Sequence, residues 1–322
     1  MRILVLGATG QIGYALTQRL AQTDHHISVL VRDGRNLQFA PSVHVTQRSE
    51  FTPDALGAAI AGADHVVYAI GLPEQFSFDS EIFKRVNQAL LTTFLSELAK
   101  SSVRNLTYVS TYEVFDTVDG IIRETHAIAD ESTMTPYFQS MIRAYRQVVA
   151  FAADNGVTLT TIHPAAVYGG LNTSGGITDY MENIYARNWR RVPFINPGRF
   201  PVIHVDSAAD LLARSLSKPG AYIASDQMTT LKDIARTMRD YAPAYVPIVM
   251  PLWLIRSGIT VLEAVSKVTG VRPIASQVQI EFLTKGWEPR AEKAVAELGW
   301  SPMTLAEGIR RYVSKKAQPA TV

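Results

Sequence analysis

The sequence contains no cysteine. Disulfides, zinc–thiolate sites and cysteine nucleophiles are thereby excluded together, and a reducing cytoplasm is the expected compartment. Excess charge is almost absent: 31 Lys and Arg against 29 Asp and Glu leave +2, too little and too dispersed for charge-driven nucleic-acid binding. Long hydrophobic runs are missing as well. The most apolar stretch, Val246 to Val265, is interrupted by Pro247, Pro251, Arg256, Gly258 and Glu263, whereas a spanning helix needs about 20 mostly uncharged residues. It reads instead as an amphipathic or substrate-lining helix, with shallow membrane contact left open. There is no internal repeat or low-complexity linker, and the seven histidines show no metal-ligand spacing, so no metal is expected. Met1-Arg2 leads into an apolar run that ends in glycines, which reads as a strand and not as a secretory leader.

What is present is an ordinary globular balance, 47% hydrophobic and 19% charged over 322 residues. That excludes disorder, collagen and coiled coil. At roughly 150 residues per domain the length allows about two domains, or one with an appended lobe. The first half alternates strand and helix signals. Arg2 to Leu6 is an unbroken apolar run, as expected of a parallel strand buried on both faces, and Ile12 to Ala21 repeats apolar residues at helical spacing. Further strands are predicted at Ile27–Val31, His65–Ile70, Leu106–Ser110 and Thr158–His163, with helices at Asp54–Ile60, Ile82–Lys100 and Pro136–Asn155. The alternation predicts βαβ units in an α/β, Rossmann-type doubly wound parallel sheet. Residues 1–165 are expected to form this domain and 166–322 mainly a smaller C-terminal substrate lobe. A segment at about 200–230 is expected to return to the main domain, with Val202 to Val205 as a buried strand of its sheet.

Gly7-Ala8-Thr9-Gly10-Gln11-Ile12-Gly13 stands between the first strand and the first helix. Here the chain must turn sharply, bring backbone N–H groups up to a pyrophosphate, and pack a helix closely on the sheet. Three glycines at three-residue spacing meet those needs, and the helix N-terminus adds partial positive charge. A tight turn without a ligand would use the same residues, but the strand–turn–helix context is the one a dinucleotide requires. Twenty-five residues after Gly7, where a carboxylate would take the ribose 2′-OH of NAD, stands Arg32. Its guanidinium suits a 2′-phosphate, so NADP is expected over NAD. An inward Asp33 would reverse the preference, and Arg35 lies nearby.

These residues, with several downstream, make the chain resemble the extended short-chain dehydrogenase/reductase superfamily. That group holds NAD-dependent epimerases and dehydratases, dihydroflavonol-type reductases and 3β-hydroxysteroid dehydrogenases. The resemblance covers nearly the whole chain. GATGQIG is similar to the family's phosphate loop, GADHVVYAIG to its fourth strand and YVSTYEVF to its active-site strand end. TPYFQSM is similar to the start of the tyrosine helix, HPAAVYG to the nicotinamide-side loop, and Asn87 opens the long helix. VIHVDSAADLL and KAVAELGWSPMTLAEGI resemble the usual C-terminal segments. The resemblance implies that Gly7, Gly10 and Gly13 hold the pyrophosphate, with Thr9 in the loop and the amides of Gln11 and Ile12. Arg32 would address the adenosine ribose and Ser49 or Glu50 would lie near the adenine. Ala69, Ile70 and Gly71 would line the cofactor cleft, and Pro164 to Val167 would pack against the nicotinamide. Thr111 falls on the Ser/Thr that bonds a substrate carbonyl, and Tyr137 on the catalytic tyrosine. A homodimer through the Ile82–Lys100 and Pro136–Asn155 helices is implied by the same resemblance.

One position departs. The family writes Tyr-x-x-x-Lys, and this chain has Tyr137-Phe138-Gln139-Ser140-Met141. Residues four apart share a helix face, so Met141 takes the place of the lysine that holds the nicotinamide ribose and stabilises tyrosinate. A unit charge about 4 Å away is worth roughly 4 kcal/mol at an effective dielectric near 20, or about three pKa units. Without it, about one Tyr137 in a thousand is phenolate at neutral pH. Alcohol oxidation then suffers, while carbonyl reduction needs only a neutral hydroxyl donor and suffers less. Arg143 and Arg146 point to other sides of the helix, and a base from the C-terminal lobe stays open. Ser110-Thr111-Tyr112-Glu113-Val114-Phe115 is also similar to the sugar-nucleotide dehydratase string Ser-Thr-Asp-Glu-Val-Tyr. By that likeness Glu113 would remove a proton α to a transient ketone, with Tyr112 as donor. Otherwise Glu113 is a solvated or salt-bridged loop residue and Tyr112 an aromatic packed on the cleft.

The remaining candidates are weaker. His163 reads as a core or cleft histidine, His25-His26 as a surface turn, and His204 with Asp206 as a structural pair. Arg187, Arg190, Arg191 and Arg199 either grip a diphosphate or carboxylate or form a solvated rim. Trp189, Phe194, Trp253 and Leu254 either offer apolar surface to a flat or lipid-like substrate or pack in the core. The expected function is NADP(H)-dependent reduction of a carbonyl or enone-like group on a hydrophobic small molecule, through Thr111 and Tyr137. The alternatives are a redox-neutral lyase, isomerase or cyclase working through Glu113 and Tyr112, or a catalytically inactive cofactor-binding protein. The expected partner is that hydrophobic small molecule, with no nucleic acid and no membrane span.

Overall fold

The computed structural model describes residues 1–32, 37–72, 80–170, 176–190, 192–269 and 276–317. Asp33, Arg35 and Arg191 lie outside the described residues. Seven strands form the central sheet: β1 (Arg2–Leu6), β2 (His26–Val31), β3 (Val43–Gln47), β4 (His65–Tyr68), β5 (Asn105–Val109), β6 (Thr158–Pro164) and β7 (Gly220–Ala224). All neighbours run parallel, in the order β3-β2-β1-β4-β5-β6-β7. Ile3 to Leu6 and Val66 to Tyr68 are buried on both faces, which is why these segments carry no polar alternation. Leu6 stands level with Leu30 of β2 and Tyr68 of β4. The strands therefore end together, at the switch point where an open α/β sheet leaves a crevice for a ligand.

Helices cover the sheet in two layers. Gln11–Leu20 packs with Val205–Ser215, and Pro53–Ile60, Leu90–Ala99 and Pro136–Asn155 form a second contiguous set. Pro136 at the first position and Gly156 at φ 62° bound the last of these, as helix ends prefer. The edge strand β7 has its Ile223 N–H taken by Glu124 Oε1 at 2.7 Å, which closes a free edge position.

One sequence expectation is corrected. The strand expected at Val202–Val205 does not join the central sheet. It is part of Arg199–His204, paired with Ala166–Tyr168 and Gln227–Thr230 in a separate three-stranded sheet, and β7 is the strand that returns. The helix expected at Ile82–Lys100 is present and runs unbroken from Ser80 to Ala99, with a π-helical stretch, Lys84–Ala89, between Ser80–Phe83 and Leu90–Ala99. The separate sheet carries its own core of Tyr168, Phe200, Val202, Ile234 and Tyr312. Asp226 ties it to the rest, accepting from the His204 N–H (2.7 Å), the Ser207 hydroxyl (2.6 Å) and the Met303 N–H (2.9 Å).

Candidate active site

The phosphate loop has the shape its sequence requires. Gly7 sits at φ 91°, and a Cβ there would lie 2.4 Å from the Ala69 carbonyl oxygen; one on Gly13 would lie 2.2 Å from the Gly7 carbonyl oxygen. Loop, helix and the end of β4 therefore approach as only glycine permits. The helix Gln11–Leu20 begins with no side-chain cap and no acidic residue in its first turn, which leaves its amides and dipole available to an anion. Gln11 Oε1 is buried against Gly170, without a hydrogen-bond partner among the described residues. A dinucleotide pyrophosphate fits this cradle, with Thr9, Gly10 and Ile12 partly buried around it.

On the adenosine side, Arg32 is exposed at the end of β2, with its guanidinium 5.5 Å from the centre of the Phe51 ring. Ser49 and Glu50 are exposed in the adjoining bend, and Gly71 is exposed beside the partly buried Ala69 and Ile70. On the other side Pro164 is buried and Val167 partly buried.

The chemistry-bearing residues gather at the end of β5. Thr111 starts a 3₁₀ turn, Tyr112–Val114, and its hydroxyl donates to Glu113 Oε2 at 3.0 Å. Glu113 is 3% exposed, so the solvated alternative for it is overturned. Tyr112 is 2% exposed; burial, followed by the charge of Glu113, a hydrogen bond to it and the proximity of Tyr137, holds its phenol well above the ordinary value. Tyr112 is thus a neutral phenol beside a buried carboxyl group. Ser110 Oγ is also buried, with no hydrogen-bond partner. Tyr137, in the first turn of the helix Pro136–Asn155, is partly buried between the rings of Phe83 (5.7 Å) and Phe138 (5.0 Å).

His163 supports this site from behind. Its Nδ1 lies 3.1 Å from the Thr111 carbonyl oxygen and its Nε2 2.8 Å from Thr161 Oγ1. A carbonyl can only accept, so Nδ1 carries the proton. Burial pushes the ring down to about 3, and it stays neutral as a core histidine.

Met141 is 6% exposed and belongs to the central core. The helix's arginines are occupied elsewhere: Arg143 and Arg146 pair with Glu131 at 3.1 and 3.6 Å. One cation does arrive from the C-terminal lobe, which the sequence left open without naming. Lys285 Nζ lies 5.3 Å from the Phe138 ring centre and 4.2 Å from that of Trp287, and pairs with Glu281 at 3.3 Å. Asn87, in the π-helical stretch, accepts from the Leu72 N–H (2.8 Å) and donates to Ser140 Oγ (3.1 Å). The Ser140 hydroxyl in turn donates to the Tyr137 carbonyl (2.6 Å). The cofactor-side loop after β4 is thereby fastened to the backbone of the tyrosine.

Glycine cradle, hydroxyl-bearing strand end and tyrosine helix are thus all in place. A model described as the NAD dependent epimerase/dehydratase family matches residues 3–227. The chain belongs to that family. It is therefore an enzyme of a nicotinamide-dependent family. Dihydroflavonol 4-reductase of Zea mays is 21% identical over 271 residues, 76% of this chain and 75% of that one. Among solved structures, gox2253 superposes with a TM-score of 0.81 at 19% identity, covering 97% of both chains. The Thermus thermophilus UDP-glucose 4-epimerase in complex with NAD gives 0.75 at 18% identity, covering 99% of this chain and 100% of that one. These structural likenesses speak for the extended short-chain dehydrogenase/reductase fold. Among the described residues no helix is long and apolar enough to cross a membrane, and no group of three or more His, Asp or Glu is placed to hold a metal.

Proposed function

We propose that the protein is an NADPH-dependent reductase of a carbonyl or enone-like group on a hydrophobic small molecule. Gly7, Gly10 and Gly13 with the amides of Gln11 and Ile12 would hold the pyrophosphate, and Arg32 the 2′-phosphate. The reduced nicotinamide supplies hydride when bound. Tyr137 donates the proton to the substrate oxygen. Thr111 spends its proton on Glu113 in this structure, so it donates to the substrate oxygen only after leaving the carboxyl group. The observation that carries this reading is Met141 buried in the lysine's place, with Arg143 and Arg146 tied to Glu131. A phenol without a cation on its own helix face favours the direction that needs a proton donor over the one that needs a base. The maize relative, a dihydroflavonol 4-reductase, is in keeping with it. A cytoplasmic homodimer through the tyrosine helix completes the proposal.

Titration with NADPH and NADH separately tests the cofactor: NADPH is expected to bind more tightly, and Arg32→Ala to erase the difference. Tyr137→Phe, correctly folded, is expected to lower reduction by about 10²- to 10⁴-fold. NADH binding as tight as NADPH refutes the cofactor assignment, and undiminished turnover refutes the donor.

A second reading is favoured by the burial of Glu113 against Thr111 and Tyr112. In it the protein is redox-neutral overall, and Glu113 takes a proton from the carbon next to a carbonyl. Exchange of that proton with deuterated solvent, lost in Glu113→Gln, is the expected signature; absence of exchange removes the reading.

A further inference from the structure

The helix Leu252–Thr269 presents its apolar side outward. Ile259, 5% exposed, and the partly buried Ile255 face the lobe. The opposite face carries Trp253, Val261, Val265 and Val268, exposed to 69, 62, 51 and 88%, together with Leu254. At 1.5 Å per residue the ridge from Trp253 to Val268 is about 22 Å long. It is extended at the helix start, where the strand Ile248–Val249 pairs with Phe194–Ile195 and sets the exposed side chains of Ile248 and Phe194 opposite each other. Tyr245 donates to the Val192 carbonyl at 2.9 Å, which brings the exposed Trp189 segment alongside. Core packing, one of the two expectations for Trp189, Phe194, Trp253 and Leu254, is overturned.

Three arginines flank this surface, and Glu263 of the same helix, partly buried, accepts from the Gln277 N–H. Arg256 lies on the flank of the helix, and Arg187 and Arg190 adjoin Trp189, with the Arg190 guanidinium 5.8 Å from its ring centre. All three are exposed, and none forms an ion pair with a described residue. An exposed apolar ridge of this length, with further exposed apolar side chains on the strand pair that precedes it, marks a docking surface. In a two-fold contact with a second copy, the same rim would meet its own like charges. A bilayer surface rich in anionic lipid offers phosphates to the arginines, an acyl boundary to the valine ridge, and the interfacial level that tryptophan prefers.

We propose that this face of the lobe docks the protein on an anionic lipid surface, lying in the interface without crossing it. The helix that carries the docking face is tied to the next helix by hydrogen bonds from its other side. Glu263 Oε1 accepts from the Gln277 N–H at 2.8 Å, and the Gln277 amide donates to the Arg256 carbonyl (2.7 Å) and Thr260 Oγ1 (2.9 Å). The helix so held, Gln277–Thr284, leads into Lys285 above Phe138, next to Tyr137. A substrate dissolved in the bilayer would meet the cleft from this side. The docking itself does not depend on which reaction the site performs.

The test is co-sedimentation of the full chain with vesicles of phosphatidylcholine alone, or with about a third phosphatidylglycerol, at low and high salt. Binding to the anionic vesicles is expected to exceed binding to the neutral ones by at least about tenfold and to fall with salt. Arg256→Gln should weaken it about fivefold. The double variant Val261→Asp, Val265→Asp should abolish it, with an unchanged thermal melt because both positions are exposed. No binding to anionic vesicles at low salt overturns the proposal, as does undiminished binding of the double variant. A concentration-dependent dimer that the double variant dissolves gives the face to a second copy and also overturns it.

Discussion

Tyr137 and Met141 stand one turn apart on the same helix face, so in the proposed reaction the proton chemistry turns on the charge that Met141 lacks. Restoring the charge by Met141→Lys places an ammonium about one turn from the phenol. A charge at about 4 Å is worth about three pKa units, reduced by the cost of burying the lysine where the methionine is 6% exposed. Alcohol oxidation at pH 7 is therefore expected to rise by about ten- to a thousandfold, with its pH profile displaced downward by about one to three units. A profile that does not move would show that Tyr137 is not the titrating group. That Met141 follows Tyr137 by one helical turn was legible in the sequence, because helical spacing alone sets i against i+4. The state of Glu113 was not. Its burial comes from the 3₁₀ turn folding it under Thr111, and local pattern does not distinguish a carboxylate turned in from one turned out. Lys285 was illegible for a related reason: almost 150 residues of chain separate it from Phe138, and only the lobe's packing joins them.

At the scale of elements, the fastening of the tyrosine helix runs through the π-helical stretch Lys84–Ala89. An α-helix carrying one extra residue per turn turns its side chains out of register, and here Asn87 is aimed between Leu72 and Ser140. Asn87 is 4% exposed, so Asn87→Ala leaves the Leu72 N–H unpaired and opens a small void. The expected loss is about 2–3 kcal/mol of stability, read as a lower urea midpoint with an unchanged slope. Ser140→Ala should cost about 1 kcal/mol. The double variant should cost less than the sum, because the two share a bond; strict additivity would mean that the link is not energetically real. The sequence predicted the helix at Ile82–Lys100 but not the bulge within it, because its apolar spacing is compatible with both windings. The bulge is decided by bonds to distant residues.

For the whole molecule, the sheet was readable wherever strands are buried on both faces. Unbroken runs such as Ile3–Leu6 follow directly from that burial. The edge strand β3 went unread because Val43–Gln47 is short and mostly open to solvent. The strand Arg199–His204 is as buried as those of the central sheet, and burial does not say which sheet it joins.

The same burial has a pH consequence. His65 and His204 are pushed down to about 4 and His163 to about 3, each chiefly by desolvation. His65 pairs with Thr107 at 2.8 Å, and His204 Nδ1 accepts the Asp206 N–H at 3.1 Å, so the neutral rings are the bonded ones. The unfolded chain binds these protons near pH 6.5 and the folded chain resists them. Their contribution is therefore complete above about pH 6.5 and is lost as pH falls toward 4. At pH 5 each histidine costs about 2 kcal/mol, or about 6 together if independent. Asp226 opposes them. Burial raises its carboxyl to about 6, so the folded state gains about 1 kcal/mol there by taking up a proton as pH falls below 6. The net expectation is that unfolding free energy falls by about 4–5 kcal/mol between pH 8 and pH 5, measured by urea titration at each pH. His65→Gln, which can still accept from Thr107, is expected to recover about 2 kcal/mol of that fall. An equal fall in the variant would place the acid sensitivity elsewhere in the chain.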